Sequence, residues 1–177
     1  MQDVLGPHCL ADWYNAAHAA DPAARLFIND YGITENNAED TAHINGYEKQ
    51  IQYLLDNKAP LGGIGLQSHF GAMLTPPAKV YSVLDRFAKF GLPLEVTEFD
   101  VNIPDQQLQS DYLRDYMTLT FSHPSVSGFV MWGFWAGDHW LPDASLYRKD
   151  FTIKPNAEQY KKLVFHDWWT ETAGSRD

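Results

Sequence analysis

Four short apolar runs, each followed by a stretch of helical periodicity, constrain this chain more than any other feature. The runs are residues 25–31 (RLFINDY), 62–69 (GGIGLQSH), 92–100 (LPLEVTEFD) and 127–133 (SGFVMWG). A helix over 9–20 precedes the first and is closed by Asp21-Pro22. Helical spacing then recurs over 44–58 (Ile44, Tyr47, Ile51, Leu54, Leu55), ended by Pro60, and after Pro76-Pro77 (Val80, Val83, Leu84, Phe87). Two more helices are predicted over about 105–121 and from Pro155 to about Thr170. Strand–helix alternation of this kind implies a parallel sheet wrapped by helices, with strands apolar enough for burial on both faces. The glycines of 62–65 predict close backbone packing there.

In every run the polar residues gather at the C-terminal end: Asn29 and Tyr31, Gln67 and His69, Glu98 and Asp100, and the tryptophans after the fourth. That polarity belongs to an α/β fold of the (β/α) barrel type, of which four units make half. A small doubly wound domain is the other arrangement open to four units. No glycine-rich phosphate loop of either common type supports it. With no linker or low-complexity segment, residues 1–177 form one domain.

The net charge of −10 makes nucleic acid and anionic membranes poor partners. A neutral substrate suits it better. Aromatic residues reach 14%, and their faces suit the flat apolar faces of sugars as well as any large core. Cys9 is the only cysteine, so neither an internal disulfide nor a cysteine-based zinc site is expected. The histidines show no metal-ligand spacing, and no cofactor is expected. Residues 1–7 carry no basic region followed by an apolar run, so no signal peptide is expected, and no stretch is long and apolar enough for a membrane span.

Glu98, at a strand tip, can serve as nucleophile, base or metal ligand. Asp100 lies two residues on and projects to the same side of an extended strand. His69 ends a different strand; near Glu98 it would hydrogen-bond the carboxylate and set its protonation state. Gln67, Asn29 and Tyr31 offer groups for hydroxyls, and Trp132, Trp135 and Trp140 a stacking floor. Singly, each residue also fits a surface charge, a cap or a core ring. Four successive strand ends presenting such groups to one side are far harder to obtain by accident.

The blocks FINDYGI (27–33), GGIGLQSHF (62–70), LPLEVTEFDV (92–101), GFVMWGFW (128–135) and LYRKDFTIKPNAEQYKKLV (146–164) are co-linear. Together they resemble glycoside hydrolase family 10, the endo-1,4-β-xylanases, over nearly the whole chain. The resemblance implies an eight-stranded (β/α)8 TIM barrel, represented here by its C-terminal half, strands five to eight. It also implies retaining hydrolysis of β-1,4-xylan, with xylan or xylo-oligosaccharide as the partner and secretion as the usual fate. By the same resemblance Glu98 matches the nucleophile, His69 the histidine bonded to it and Asp100 the supporting carboxylate. Gln67 and Trp132 match positions lining the sugar site, and Asn29 and Tyr31 match the NDY motif. Trp140 matches a second tryptophan in the last loop, although Ala136–His139 departs from the common pattern.

One departure is larger. The family's acid/base glutamate lies in an Asn-Glu pair at the end of the fourth strand, and no such pair occurs here. The chain is therefore expected to hold the nucleophile half of a site, and to be a poor enzyme alone. A non-catalytic xylan-binding or assembly fragment, and a truncated gene product, are the alternatives. Two unpaired strand edges and an open apolar interior are expected to favour self-association.

Overall fold

The computed structural model describes residues 2–6 and 8–171. Met1 and Pro7, within the stretch read for a leader, lie outside them. After a short turn of helix (α1, Gln2–Leu5) come α2 (Cys9–Ala20), β1 (Leu26–Asp30), α3 (Thr41–Asp56), β2 (Leu61–Leu66) and β3 (His69–Phe70). Then follow α4 (Pro77–Ala88), β4 (Leu94–Val101), α5 (Gln106–Ser122), β5 (Val126–Met131) and α6 (Pro155–Lys162). Each predicted element is present. Helix α3 starts earlier than its apolar period indicated, because the Asp40 carboxylate accepts from His43 N and caps it. The last helix ends sooner than expected, at Lys162, and a π-type turn (Leu163–Asp167) replaces its remainder.

All strand pairings are parallel, in the spatial order β1-β2-β4-β5. The second run does not reach His69 as one strand. It stops at Leu66, turns through Ser68 at φ 69°, and resumes as β3 beside the end of β4, with His69 opposite Asp100. Among the described residues β1 and β5 each keep one edge without a strand partner.

One face of the sheet is the core. Ile64, Leu94 and Val96 are fully buried, and Leu66 and Phe99 are 1% exposed, packed in one cluster with Ile51, Leu54, Leu84, Phe87 and Tyr116 from the helices. The other face differs from expectation. It is mixed rather than apolar: beside the Phe27 ring it carries Asn29, Glu95, Thr97 and Ser127 next to Gly63, Gly65 and Gly128, and Arg25 bonds Glu95 across it. Glycine there leaves room for neighbours, since a Cβ on Gly63 would lie 2.2 Å from the Phe27 ring. Apolar composition alone does not reveal this, because small residues read as apolar while leaving polar side chains space to lie across them.

Strand β4 changes parity part-way. Leu94 and Val96 face the helices, but the next core residues are Phe99 and Val101, and the register with β5 shifts between Val96 and Phe99. The irregularity turns Thr97 and Glu98 to the same side, which a regular strand forbids.

Tyr47 ties the first two strands from beneath. Its buried hydroxyl donates to Ile28 O (3.0 Å) and Gly65 O (2.7 Å), and burial raises its phenol far above the ordinary value. Tyr47→Phe is expected to cost about 1 kcal/mol. The check is urea unfolding, with a lower midpoint and an unchanged slope.

Candidate active site

The C-terminal ends of the strands surround an open cavity of about 510 Å³ lined by Tyr31, Gly32, Glu35, Asn36, Gln67, His69, Glu98, Trp132 and Trp140. Glu98 is held at both oxygens. Oε1 accepts from Asn29 Nδ2 (3.0 Å) and Oε2 bonds His69 Nε2 (3.2 Å). Two donors from different strands fix the carboxylate's plane as well as its place.

Asn29 reaches Glu98 by lying across β2. That path is open because Gly65 lacks a side chain: a Cβ there would sit 2.6 Å from Asn29 Oδ1. Thr97 Oγ1 donates to the same Asn29 oxygen at 2.8 Å, which orients the amide so that its nitrogen faces Glu98. Both polar atoms of Asn29 are thus engaged within the site.

On the other side of His69, Nδ1 lies 3.0 Å from Asp100 Oδ1, close enough for an ion pair but poorly aligned for a hydrogen bond. Asp100 is 1% exposed, and its second oxygen accepts from Trp140 Nε1 at 2.9 Å. The His69 ring meets Trp132 and Trp140 edge-on at 6.0 and 5.2 Å between centroids. His139, buried beneath, bonds Trp132 O at 2.6 Å and so holds the end of β5. Apart from Trp135, every residue singled out from the sequence is in or against this one cavity; Trp135 instead stacks on Phe151 at 5.0 Å, its Nε1 donating to Lys149 O, so the expected floor of three indoles is reduced to Trp132 and Trp140. Tyr31 is its outermost member, 62% exposed and packed against His43.

The residues match the model of glycosyl hydrolase family 10 over positions 1–164. The chain belongs to glycosyl hydrolase family 10. Endo-1,4-beta-xylanase 1 of Arabidopsis thaliana is 39% identical over 134 residues, covering 76% of this chain and 14% of that protein. The anti-sigma-I factor RsgI6 of Acetivibrio thermocellus is 32% identical over 174 residues, covering 98% of this chain and 22% of that protein. The fold superposes on xylanase 10B from Thermotoga petrophila RKU-1, solved in complex with xylobiose, with a TM-score of 0.79 and 28% identity. Native xylanase 10B from Thermotoga maritima gives 0.78 and 29%. In both, 90% of this chain aligns with 52% of the solved chain. The chain thus spans a family 10 barrel in part.

Three further residues join the cluster around Glu98 with no signal in the sequence. Thr97 neighbours Glu98, and a regular strand would point the two to opposite faces. Glu35 lies on no strand. Only the loop after β1 brings it under His69, where its Oε1 accepts the His69 backbone N–H at 3.0 Å. His139 was set aside for lack of metal-ligand spacing, and its actual partner is a backbone carbonyl.

Burial works against a charge on His69, but Asp100 and then Glu98 outweigh it and raise its pKa above the ordinary imidazole value. A group whose folded pKa is raised contributes stability that is fully present below its unfolded pKa, about 6.5. The contribution is lost as pH rises through the folded value. Asp100→Asn is accordingly expected to lower the His69 midpoint in an NMR titration of its ring. The same substitution should flatten the pH dependence of unfolding stability above about pH 6.5.

Proposed function

We propose that these residues carry the nucleophile side of a retaining endo-1,4-β-xylanase site. The observation that supports this most is Glu98 itself: a carboxylate at a barrel strand's C-terminal end, in an open cavity, aimed by His69 on one oxygen and Asn29 on the other. Retention needs two carboxyl groups about 5–5.5 Å apart across the glycosidic bond. Glu98 attacks the anomeric carbon and forms the glycosyl-enzyme bond as the bond to the leaving oxygen breaks. The second carboxyl gives its proton to that oxygen. It then takes a proton from the water that attacks the same carbon, displaces Glu98 and releases the sugar.

In this reading Glu98 is the chain's own contribution, and the general acid comes from the part of the barrel outside these four strands. His69, backed by Asp100, keeps the nucleophile oriented, and Asn29 steadies its other oxygen. Gln67, Tyr31, Trp132 and Trp140 border the space for xylose units, the two indoles offering faces for stacking. The open edges of β1 and β5 are where the remaining strands pair; without them a second copy competes for the same edges.

The reading is tested by assaying the 177-residue chain on xylan, alone and mixed with a fragment carrying the first four barrel strands. Alone, turnover is expected about 10²–10⁴-fold below that of a whole barrel, the usual contribution of a positioned general acid. The mixture should recover activity and lose it with Glu98→Gln. Turnover by the chain alone at the level of a whole barrel, abolished by Glu98→Gln, would overturn the division of the site. A binding module is the second reading, favoured by the exposure of Trp132 (44%) and Trp140 (60%). Xylo-oligosaccharide affinity retained with no hydrolysis in either assay would select it.

A further inference from the structure

Glu35 is 3% exposed, and its partners are uncharged donors. Oε1 accepts His69 N–H at 3.0 Å. Oε2 accepts Thr34 N–H at 2.8 Å and the Thr34 hydroxyl at 3.3 Å. Burying a carboxylate with no counter-ion is costly unless such donors replace the lost water. Here that arrangement lies directly behind the residue that bonds Glu98.

The chain there is strained. Ser68 adopts φ 69°, a left-handed conformation that non-glycine residues avoid. Its side chain is locked from below, with Ser68 Oγ, Tyr116 OH and Thr34 Oγ1 sharing hydrogen bonds of 2.9, 3.2 and 3.3 Å. Glu35 closes this arrangement from above by capturing the next main-chain donor, that of His69. The turn is what ends β2 and sets His69 opposite Asp100 in β3. Strain of this sort persists where surrounding contacts over-determine it, as at sites that require one geometry.

Glu35 also borders the cavity that holds Glu98, so a role as the missing proton donor has to be weighed. Both its oxygens already accept backbone N–H groups. Those donors hold both oxygens toward the main chain of residues 34 and 69 and away from the carboxylate of Glu98. Its chemistry is holding, not proton transfer.

We propose that Glu35 is a positioning residue that fixes where His69 presents its imidazole to Glu98, acting through the His69 main chain. Its catalytic consequence rests on Glu98 being the nucleophile; the positioning itself does not. The groups that raise the His69 pKa are Asp100 and Glu98, so that pKa reports whether the ring still sits between them.

The experiment follows the His69 ring by NMR titration in the 177-residue chain and in Glu35→Gln and Glu35→Asp. Gln offers a single acceptor oxygen, and Asp keeps the charge but is one methylene short. Both are expected to move the His69 midpoint down toward about 6.5 and to speed hydrogen exchange of its amide. Glu35→Asp is the discriminating variant, since a purely Coulombic influence of Glu35 would leave its midpoint at the wild-type value. Folded variants with wild-type His69 titration and only lowered melting temperatures would overturn the proposal. Should both fail to fold, Thr34→Ala, which removes one donor to Glu35 and one member of the Ser68 lock, is compared with Tyr116→Phe, which weakens the lock alone. A larger downward shift in Thr34→Ala than in Tyr116→Phe supports positioning by Glu35, and equal shifts or the wild-type midpoint overturn it. Xylanase activity surviving Glu98→Gln would sink the nucleophile reading while leaving the His69 result standing.

Discussion

The imidazole of His69, set between Glu98 and Asp100, is the contact on which the rest of the arrangement depends. Two carboxylates on one strand end repel each other, and a raised-pKa imidazole between them supplies both a bridge and, when protonated, the compensating charge. For that bridge to form, β2 must end at Leu66, Ser68 must turn left-handed, and β3 must pair with the tip of β4. Trp140 occupies the far oxygen of Asp100, and Asn29 the far oxygen of Glu98. Little freedom remains in the cluster, as the nucleophilic role proposed for Glu98 requires.

The sheet supports this by being asymmetric. Its helix-facing side is a dense apolar and aromatic layer in which Phe70, Phe99, Tyr112, Tyr116 and Phe129 meet ring to ring. Its other side is thinned by glycine, so that long polar side chains cross from strand to strand. The parity change in β4 joins the two. It keeps Phe99 in the core while bringing Thr97, Glu98 and Asp100 to the open side. A family 10 barrel that is present in part thereby retains a cohesive core and one ordered side of a cleft.

What the sequence by itself determined was the architecture and part of the membership of the cluster around Glu98. Strand–helix order follows from short-range periodicity, and the ends of β1, β2 and β4 were legible because polar residues there interrupt apolar runs. Glu98, His69, Asp100, Gln67, Asn29, Tyr31, Trp132 and Trp140 could therefore be named before any coordinates. The tertiary structure decided who bonds whom. Glu35 and His139 sit on loops with no periodic signal. Thr97 depends on a strand irregularity that the string LEVTEFDV does not announce. Asn29 meets Glu98 only because Gly65 clears the path between them. Apart from that of His139, which meets Trp132 only 7 positions away, such contacts join residues 34 to 69 positions apart, and their geometry is set by backbone register and by side chains that are absent as much as by those present. Local pattern carries no record of either.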